Sequence, residues 1–376
     1  MKNIYMSYLK EDKDIFFEPS FISTKLYNKL LDANNNFLFL RKYIYNNFFL
    51  DLLEYENIDE ISIKEFIKRN YKKYKFEDSN FFSRWDYFLT EAGKIQISEI
   101  NNDTPFWFVE SFFLNEKDIK WTINPNKNLM TTFLTKLKKY WVNNLYVAWD
   151  MSYTEENRLS LFLKDFFSYH WLNSYNDWFW NLTIKDDGVF YWWKKIDTVL
   201  KLIPIDWLYE DFDMEKIEKL QEKWYVKLIN NQFSFPFQIK SFYSYLWKYI
   251  DKFDENIQNI IKEHIPYTLR FDEIKKIDNI NKDDWVIKHI NIREWVWVYI
   301  WKETDQKTWD SLLENNKNSQ NWILQKDFNS FYDKNGITYN YWIYNIQWEY
   351  AGIFFRMHKK RKTDINSIST GLYVTQ

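Results

Sequence analysis

The sequence contains no cysteine among its 376 residues. This absence excludes disulfides, thiolate nucleophiles and thiolate metal sites, and it fits a reducing compartment. The first fourteen residues, MKNIYMSYLKEDKD, lack the apolar stretch of a signal peptide, and no segment approaches the length of a membrane span. We therefore expect a cytoplasmic protein with no membrane partner.

No excess of either charge is present, because the formal net charge is −2. That balance gives no reason to expect a nucleic-acid partner. The four histidines are scattered along the chain, so no zinc-binding spacing occurs. Hydrophobic residues make up 46% and charged residues 28%, as in ordinary globular proteins.

Glycine is scarce and tryptophan abundant, with 5 glycines against 21 tryptophans. A compact enzyme needs glycine wherever φ is positive or where the backbone approaches a phosphate. We hypothesise that some tryptophans are glycines in the cell, because certain bacterial lineages read UGA as glycine; the alternative is a truly tryptophan-rich protein. The candidates stand in glycine-like settings: Trp178, Trp180, Trp192, Trp193, Trp295, Trp297 and Trp348. In contrast, Trp207 and Trp247 lie in apolar settings typical of true tryptophans.

Hydrophobic periodicity predicts helices alternating with short strands. The predicted helices cover residues 61–73, 128–140, 154–167, 214–225 and 239–263. The predicted strands cover residues 94–100, 145–149, 285–290, 322–326, 339–346 and 350–356. The asparagine-rich run Asn34–Asn36 is interpreted as a surface loop. This mixture indicates an α/β or α+β enzyme, too irregular for a simple doubly wound sheet.

One predicted hairpin gathers charged side chains between residues 83 and 110. Arg84 and Asp86 share one face of a strand, and Glu99 and Asn101 share one face of the next. A turn centred between residues 92 and 93 would place Asp86 opposite Glu99, and Arg84 opposite Asn101.

Two opposed carboxylates repel each other unless a cation bridges them, and Mg²⁺ prefers such oxygen ligands. Arg84 beside them could bind a phosphoryl or carboxylate group through two hydrogen bonds. The alternative from spacing alone is a surface hairpin in which Arg84 only neutralises the acids.

The patterns R-x-D and E-x-N-x-D-T-P in this hairpin resemble those of the glutathionylspermidine-synthase-type ATP-grasp family. The resemblance implies that Asp86, Glu99 and Asn101 hold Mg²⁺. It also implies that Arg84 contacts the transferred phosphoryl group.

Later segments resemble the same family in the same order. IKSFYSYLW (239–247) implies that Lys240 binds ATP, and WVIKHINIREWVWV (285–298) implies the same for Lys288. In the latter segment, Arg293 and Glu294 would open a loop that covers the phosphates. AGIFFR (351–356) implies that Arg356 binds the acyl phosphate, and Gln325 stands where an adenine-side contact is expected.

The resemblance implies one catalytic unit over residues 1–376, with an ATP-grasp-type fold, a preATP-grasp-like region and a small lid subdomain within 235–325. Such an enzyme phosphorylates a carboxylate with ATP and Mg²⁺, and an amine then displaces the phosphate. The implied substrates are small-molecule acids and amines of the peptide or polyamine class.

The phosphate-covering loop departs from the family pattern, because REWVWV places indoles where small residues are needed. Glycines at 295 and 297 would remove that conflict and favour the ligase. Tryptophans there favour the main alternative, a non-catalytic binding protein that kept the fold. A third alternative, suggested by the 22% aromatic content, is an all-β carbohydrate-binding module.

Overall fold

The structure, a computed structural model, describes residues 15–58, 61–115, 117–140, 142–150, 154–274, 284–291, 297–359 and 367–375. Its α-helices are α1 Thr24–Tyr55, α2 Ile61–Asn70, α3 Phe76–Ser79, α4 Phe108–Leu114, α5 Leu129–Lys139, α6 Thr154–Tyr169, α7 Ile205–Asp211, α8 Met214–Glu222, α9 Ser241–Lys248, α10 Glu255–His264 and α11 Gln306–Asn315. Its strands are β1 Ile15–Ser23, β2 Phe82–Leu89, β3 Ile95–Asn101, β4 Thr122–Ile123, β5 Asn144–Trp149, β6 Asn173–Trp178, β7 Thr183–Lys185, β8 Gly188–Tyr191, β9 Lys194–Ile196, β10 Thr198–Lys201, β11 Lys227–Ile229, β12 Thr268–Arg270, β13 Trp285–His289, β14 Val298–Ile300, β15 Trp322–Lys326, β16 Thr338–Ile346, β17 Glu349–His358 and β18 Ile368–Thr375.

These strands form four sheets in an α+β arrangement. The largest sheet has the order β1-β18-β17-β16-β2-β3, with β4 added beside β18. A parallel sheet has the order β11-β10-β5-β6, and a three-stranded sheet joins β7, β8 and β9. The fourth sheet is antiparallel, in the order β12-β15-β13-β14, and we call it the small sheet.

Helix α1 carries a buried stripe that packs in the main core. The Ser23 side chain caps its first turn by accepting a hydrogen bond from the Leu26 amide. The prediction of a surface loop at Asn34–Asn36 is wrong, because these residues lie inside this helix. Asn34 falls on the buried stripe, where its side chain hydrogen-bonds Asn345 of β16.

The small sheet is covered on one face and open toward the large sheet on the other. Helix α11 packs against the first face, and Trp309 is fully buried there with Leu313, Trp285 and Ile287. The second face carries a separate apolar cluster that contains Val286, Val298 and Ile300. Alternation along β13 places Lys288 on this second face, beside Val286.

Most predicted elements are confirmed, since all six predicted strands correspond to observed strands. The single helix predicted over 239–263 is wrong, because α9 and α10 are separated by a 3₁₀ turn, Ile250–Lys252. Among the described helices, none is both long and apolar enough to cross a membrane.

Candidate active site

A β-bulge in the β2–β3 hairpin sets the register of the predicted charged residues. Close to the turn, Leu89 pairs with Ile95 and Tyr87 with Ile97, which centres the register on residue 92. Beyond the bulge, Asp86 pairs with Glu99 and Arg84 with Asn101, as the sequence predicted.

The extra residue in β3 is Ser98, whose hydroxyl donates to the Asp86 carbonyl at 3.2 Å. Without this residue, the register near the turn would place Ser98 opposite Asp86. Glu99 would then point to the other face of the sheet. The bulge therefore brings the four side chains to one face.

Arg84 is fixed by an acid and by an aromatic ring. Its Nε donates to Asp86 Oδ1 at 2.9 Å and its Nη2 to Oδ2 at 3.4 Å. Its guanidinium lies 3.8 Å from the ring centroid of Trp342, which pairs with Asp86 in the sheet. Arg84 is thus held as a flat cation in a buried position.

Arg356 reaches the same ring from the neighbouring strand. Its guanidinium lies 5.0 Å from the Trp342 centroid and 6.0 Å from that of Trp107. It also lowers the pKa of Asp86, so it stands within electrostatic reach of that carboxylate. The sequence analysis did not identify Trp342, although its parity in β16 follows from the pairing with Arg84 and Asp86.

Glu99 is neutralised from outside its own hairpin. Lys240 Nζ lies 3.2 Å from Glu99 Oε1. Burial acts to raise the pKa of Glu99, but Lys240, Arg84 and Lys288 together hold it below its ordinary value. Burial raises the pKa of Asp86 to about 6, since the charge of Glu99 opposes the effect of Arg84. Two buried carboxylates therefore face each other with unequal compensation.

The small sheet contributes a second lysine to the cluster. Lys288 Nζ donates to Gln325 Oε1 at 2.7 Å, and Gln325 Nε2 donates to Thr268 Oγ1 at 3.0 Å. Burial and the neighbouring charge of Lys240 lower the pKa of Lys288 to about 8. No sequence signal had pointed to Thr268, because β12 is only three residues long.

The structure thus brings eight predicted residues to the space between the two sheets: Arg84, Asp86, Glu99, Asn101, Lys240, Lys288, Gln325 and Arg356. Arg293 and Glu294 lie outside the described residues. The cavity beside Glu99, Asn101 and Lys240 measures only about 20 Å³. Ligand sites usually enclose about 300–1,000 Å³, so a nucleotide could enter only if the small sheet moved away.

Mg²⁺ fits the donor set at the hairpin, but a complete set is not visible. The carboxylates of Asp86 and Glu99 are hard oxygen donors, and the raised pKa of Asp86 reflects a shortage of nearby positive charge. Asn101 Nδ2 is buried without a hydrogen-bond partner in the described structure, so it can donate to a ligand oxygen. Among the described residues, no three His, Asp or Glu side chains group to hold a metal. Arg84 and Lys240 take the neutralising positions that the sequence analysis assigned to a metal alone.

Replacing Lys288 by Met should weaken nucleotide binding by roughly ten- to a hundred-fold without lowering stability at pH 7.5. The depressed pKa means that the folded state bears a cost for the charged amine below pH 8. That cost disappears as the pH rises toward 10.5, where the amine is neutral in both states. Melting temperatures of both proteins across this range, and ATP titrations at pH 7.5, measure the two effects.

The exposed Lys302 of the small-sheet segment provides the control, since Lys302→Met should change neither property. A large loss of stability in Lys288→Met at pH 7.5, equal at pH 10, would show instead that this lysine only supports the fold.

Comparisons with known proteins give little beyond this geometry. No protein-family model and no curated protein matches the chain. Solved structures do match, and one is described as "Putative gamma-glutamylcysteine synthetase from Methylobacillus flagellatus KT". The TM-score is 0.47 at 12% identity, with 89% of this chain and 85% of that chain covered. At that level of similarity the match carries no argument about chemistry.

Proposed function

We propose that the protein is an ATP- and Mg²⁺-dependent ligase that joins a carboxylate to an amine. The observation that carries this proposal is the meeting of two arginines, two lysines and two opposed carboxylates between the sheets. Phosphoryl transfer needs positioning and neutralisation of charge more than covalent help, and this cluster supplies both. In a purely structural role, so many buried ionised groups would be costly.

The small sheet is proposed as the lid of an ATP-grasp-type fold. Its open face combines the apolar cluster of Val286, Val298 and Ile300 with Lys288 and Gln325. An apolar surface with a few fixed polar groups suits an adenine ring. The lid so defined spans Thr268–Lys326, and the preceding helices α9 and α10 contribute to the main core instead.

In the proposed reaction, an oxygen of the substrate carboxylate attacks the γ-phosphorus of ATP. The bond to the bridging oxygen breaks, and ADP leaves. Lys240 and Lys288 would hold the phosphates, while Arg84 and Arg356 would stabilise charge on the acyl phosphate. Asp86, Glu99 and Asn101 would hold Mg²⁺, which would screen the phosphate charges.

The amine nitrogen then attacks the acyl carbon. The C–O bond to the phosphate breaks, and a proton leaves the nitrogen. The products are an amide, ADP and phosphate. A peptide-like acid and a polyamine or amino acid are the proposed substrate classes, in line with the sequence resemblance.

The first test is ATP binding followed by amine-dependent release of ADP. Lys240→Met should lower ATP affinity by roughly ten- to a hundred-fold, because a buried charge-assisted contact is lost. Lys248→Met at the other end of α9 is the matched control, since that lysine pairs with Glu273. ADP release with peptide-like acids should require an amine.

Equal ATP affinity in wild type and Lys240→Met would refute the nucleotide site. Absence of binding in the wild type, in the chain with tryptophan at 297, would favour the non-catalytic alternative. Trp297 supports that alternative as the sequence stands, because its indole lies at the edge of the lid, 5.6 Å from Trp322.

A further inference from the structure

Seven tryptophans have a left-handed backbone conformation that belongs to glycine. Among the described residues, ten non-glycine residues have positive φ, and the remaining three are Asn318, Asn329 and Gln347. Asparagine adopts this region with little cost, whereas a bulky aromatic residue there is an outlier. The seven tryptophans are Trp107, Trp121, Trp171, Trp192, Trp224, Trp297 and Trp348.

Two of them follow helices at the position most specific for glycine. After α6, the Trp171 amide donates to the Ser168 carbonyl and the Leu172 amide to the Phe167 carbonyl. This pair of bonds defines a Schellman motif, with Trp171 at the left-handed position and φ of 67°. Its side chain is 95% exposed, so the indole gains no packing in return.

The end of α8 repeats this arrangement. The Trp224 amide donates to the Gln221 carbonyl and the Tyr225 amide to the Leu220 carbonyl, with φ of 61° at Trp224. Two helices therefore end in the same motif with the same unsuitable residue. Glycine is the residue that such a motif ordinarily carries.

Two more occupy tight hairpin turns. Ile346 pairs with Glu349, so Gln347 and Trp348 form a two-residue turn, with φ of 44° and 68°. Positive φ at both central residues defines a type I′ turn, which favours glycine at the second. The turn after β8 likewise begins with Trp192 at φ of 57°, and this side chain is 72% exposed.

Other tryptophans make contacts that require an indole. Trp247 Nε1 donates to the Pro266 carbonyl at 2.9 Å. Trp309 is fully buried beneath the small sheet. Both have ordinary backbone conformations within helices. Trp348 is an intermediate case, because its Nε1 also donates to the Phe76 carbonyl at 2.9 Å.

We infer that the native polypeptide carries glycine at the seven left-handed positions, encoded by UGA, and tryptophan at 247 and 309. The set differs from the sequence prediction. Trp192, Trp297 and Trp348 belong to both, while Trp178, Trp180 and Trp193 have no positive φ and Trp295 lies outside the described residues.

Two of the seven positions bear on the proposed active site, and this step rests on the proposed function. Trp297 precedes β14 with φ of 71°, where the phosphate-covering loop would end. Trp107 has φ of 70° and lies beside Arg356. Glycine at these positions would let backbone amides approach the phosphates and would uncover Arg356 toward the acyl phosphate.

The inference is tested on the gene and on the native protein. We expect TGA at the seven codons and TGG at codons 247 and 309. Peptide sequencing by mass spectrometry, on protein from the source cells, should find glycine at the seven positions and tryptophan at the other two. Tryptophan in the native peptides at the seven positions would overturn the inference. Neither measurement involves ATP, so failure of the proposed ligase activity would leave this result unaffected.

Discussion

Asp86→Asn should lower ATP-dependent turnover on the order of a thousand-fold while leaving the folded structure intact. Asparagine keeps the shape of the side chain and can still accept a hydrogen bond from Arg84. It lacks the charge that the proposed Mg²⁺ site needs. The measurement is ADP release under saturating ATP, with far-UV circular dichroism to verify folding. Glu91→Gln is the matched control, because Glu91 is exposed in the turn of the same hairpin.

The pKa of Asp86 gives this prediction a pH dependence. In the metal-free protein, burial raises the pKa to about 6, so the ionised form opposes folding. Stability from this group is therefore present below its unfolded pKa and is lost as the pH rises through 6. Mg²⁺ needs the ionised form, so stabilisation by Mg²⁺ should weaken as the pH falls below about 6. Melting curves with and without Mg²⁺ between pH 5 and pH 8, in wild type and Asp86→Asn, measure both effects.

Two outcomes would exclude the metal site. Equal turnover in Asp86→Asn and wild type would show that Asp86 and Arg84 form only a structural ion pair. Equal stabilisation by Mg²⁺ in both proteins would place any bound ion elsewhere. In either case the arginines and lysines would still need another explanation for their burial.

The charged hairpin shows how far local pattern can go. Alternation placed Arg84 with Asp86 and Glu99 with Asn101, and the predicted pairing of the two strands is confirmed. The prediction reached the right register with a turn half a residue away from its true centre. The bulge at Ser98 makes up the difference, and no residue type in KIQISEI marks a bulge.

Long-range contacts were beyond reach from local pattern. The ion pair between Lys240 and Glu99 joins residues on separate elements, and the family resemblance had brought both into one site without predicting their contact. Helix α1 was missed because Asn34–Asn36 resembles a loop when read alone. Tertiary packing against β16 gives Asn34 a buried partner that outweighs its weak helix propensity.

The tryptophans led to a different kind of error, because side-chain surroundings were the only guide available. Trp178 looked glycine-like between polar residues, yet its φ is −62° and any residue could adopt it. Trp171 and Trp224 were overlooked because a helix end was not located to the residue. Backbone conformation, which the sequence does not display, separates the two groups.

Replacing all seven left-handed tryptophans by glycine should stabilise the protein by several kcal/mol. A left-handed conformation costs a residue with a Cβ atom about 1–2 kcal/mol. Glycine offsets part of this gain, roughly 0.4–1 kcal/mol per site, through the greater freedom of the unfolded chain. The sites lie on separate elements, so their effects should add. The sum is comparable with the whole stability of a typical protein, about 5–15 kcal/mol.

A second variant with alanine at the same seven positions isolates the backbone effect. Alanine also removes the exposed indoles but keeps the Cβ atom that opposes positive φ. The glycine variant should therefore melt higher than the alanine variant, by on the order of 10 °C. Trp309→Gly is the opposite control and should lose about 3–5 kcal/mol, because it leaves a cavity beneath the small sheet. If the glycine and alanine variants melt together, the seven positions do not require glycine, and the tryptophans must be explained by their indoles.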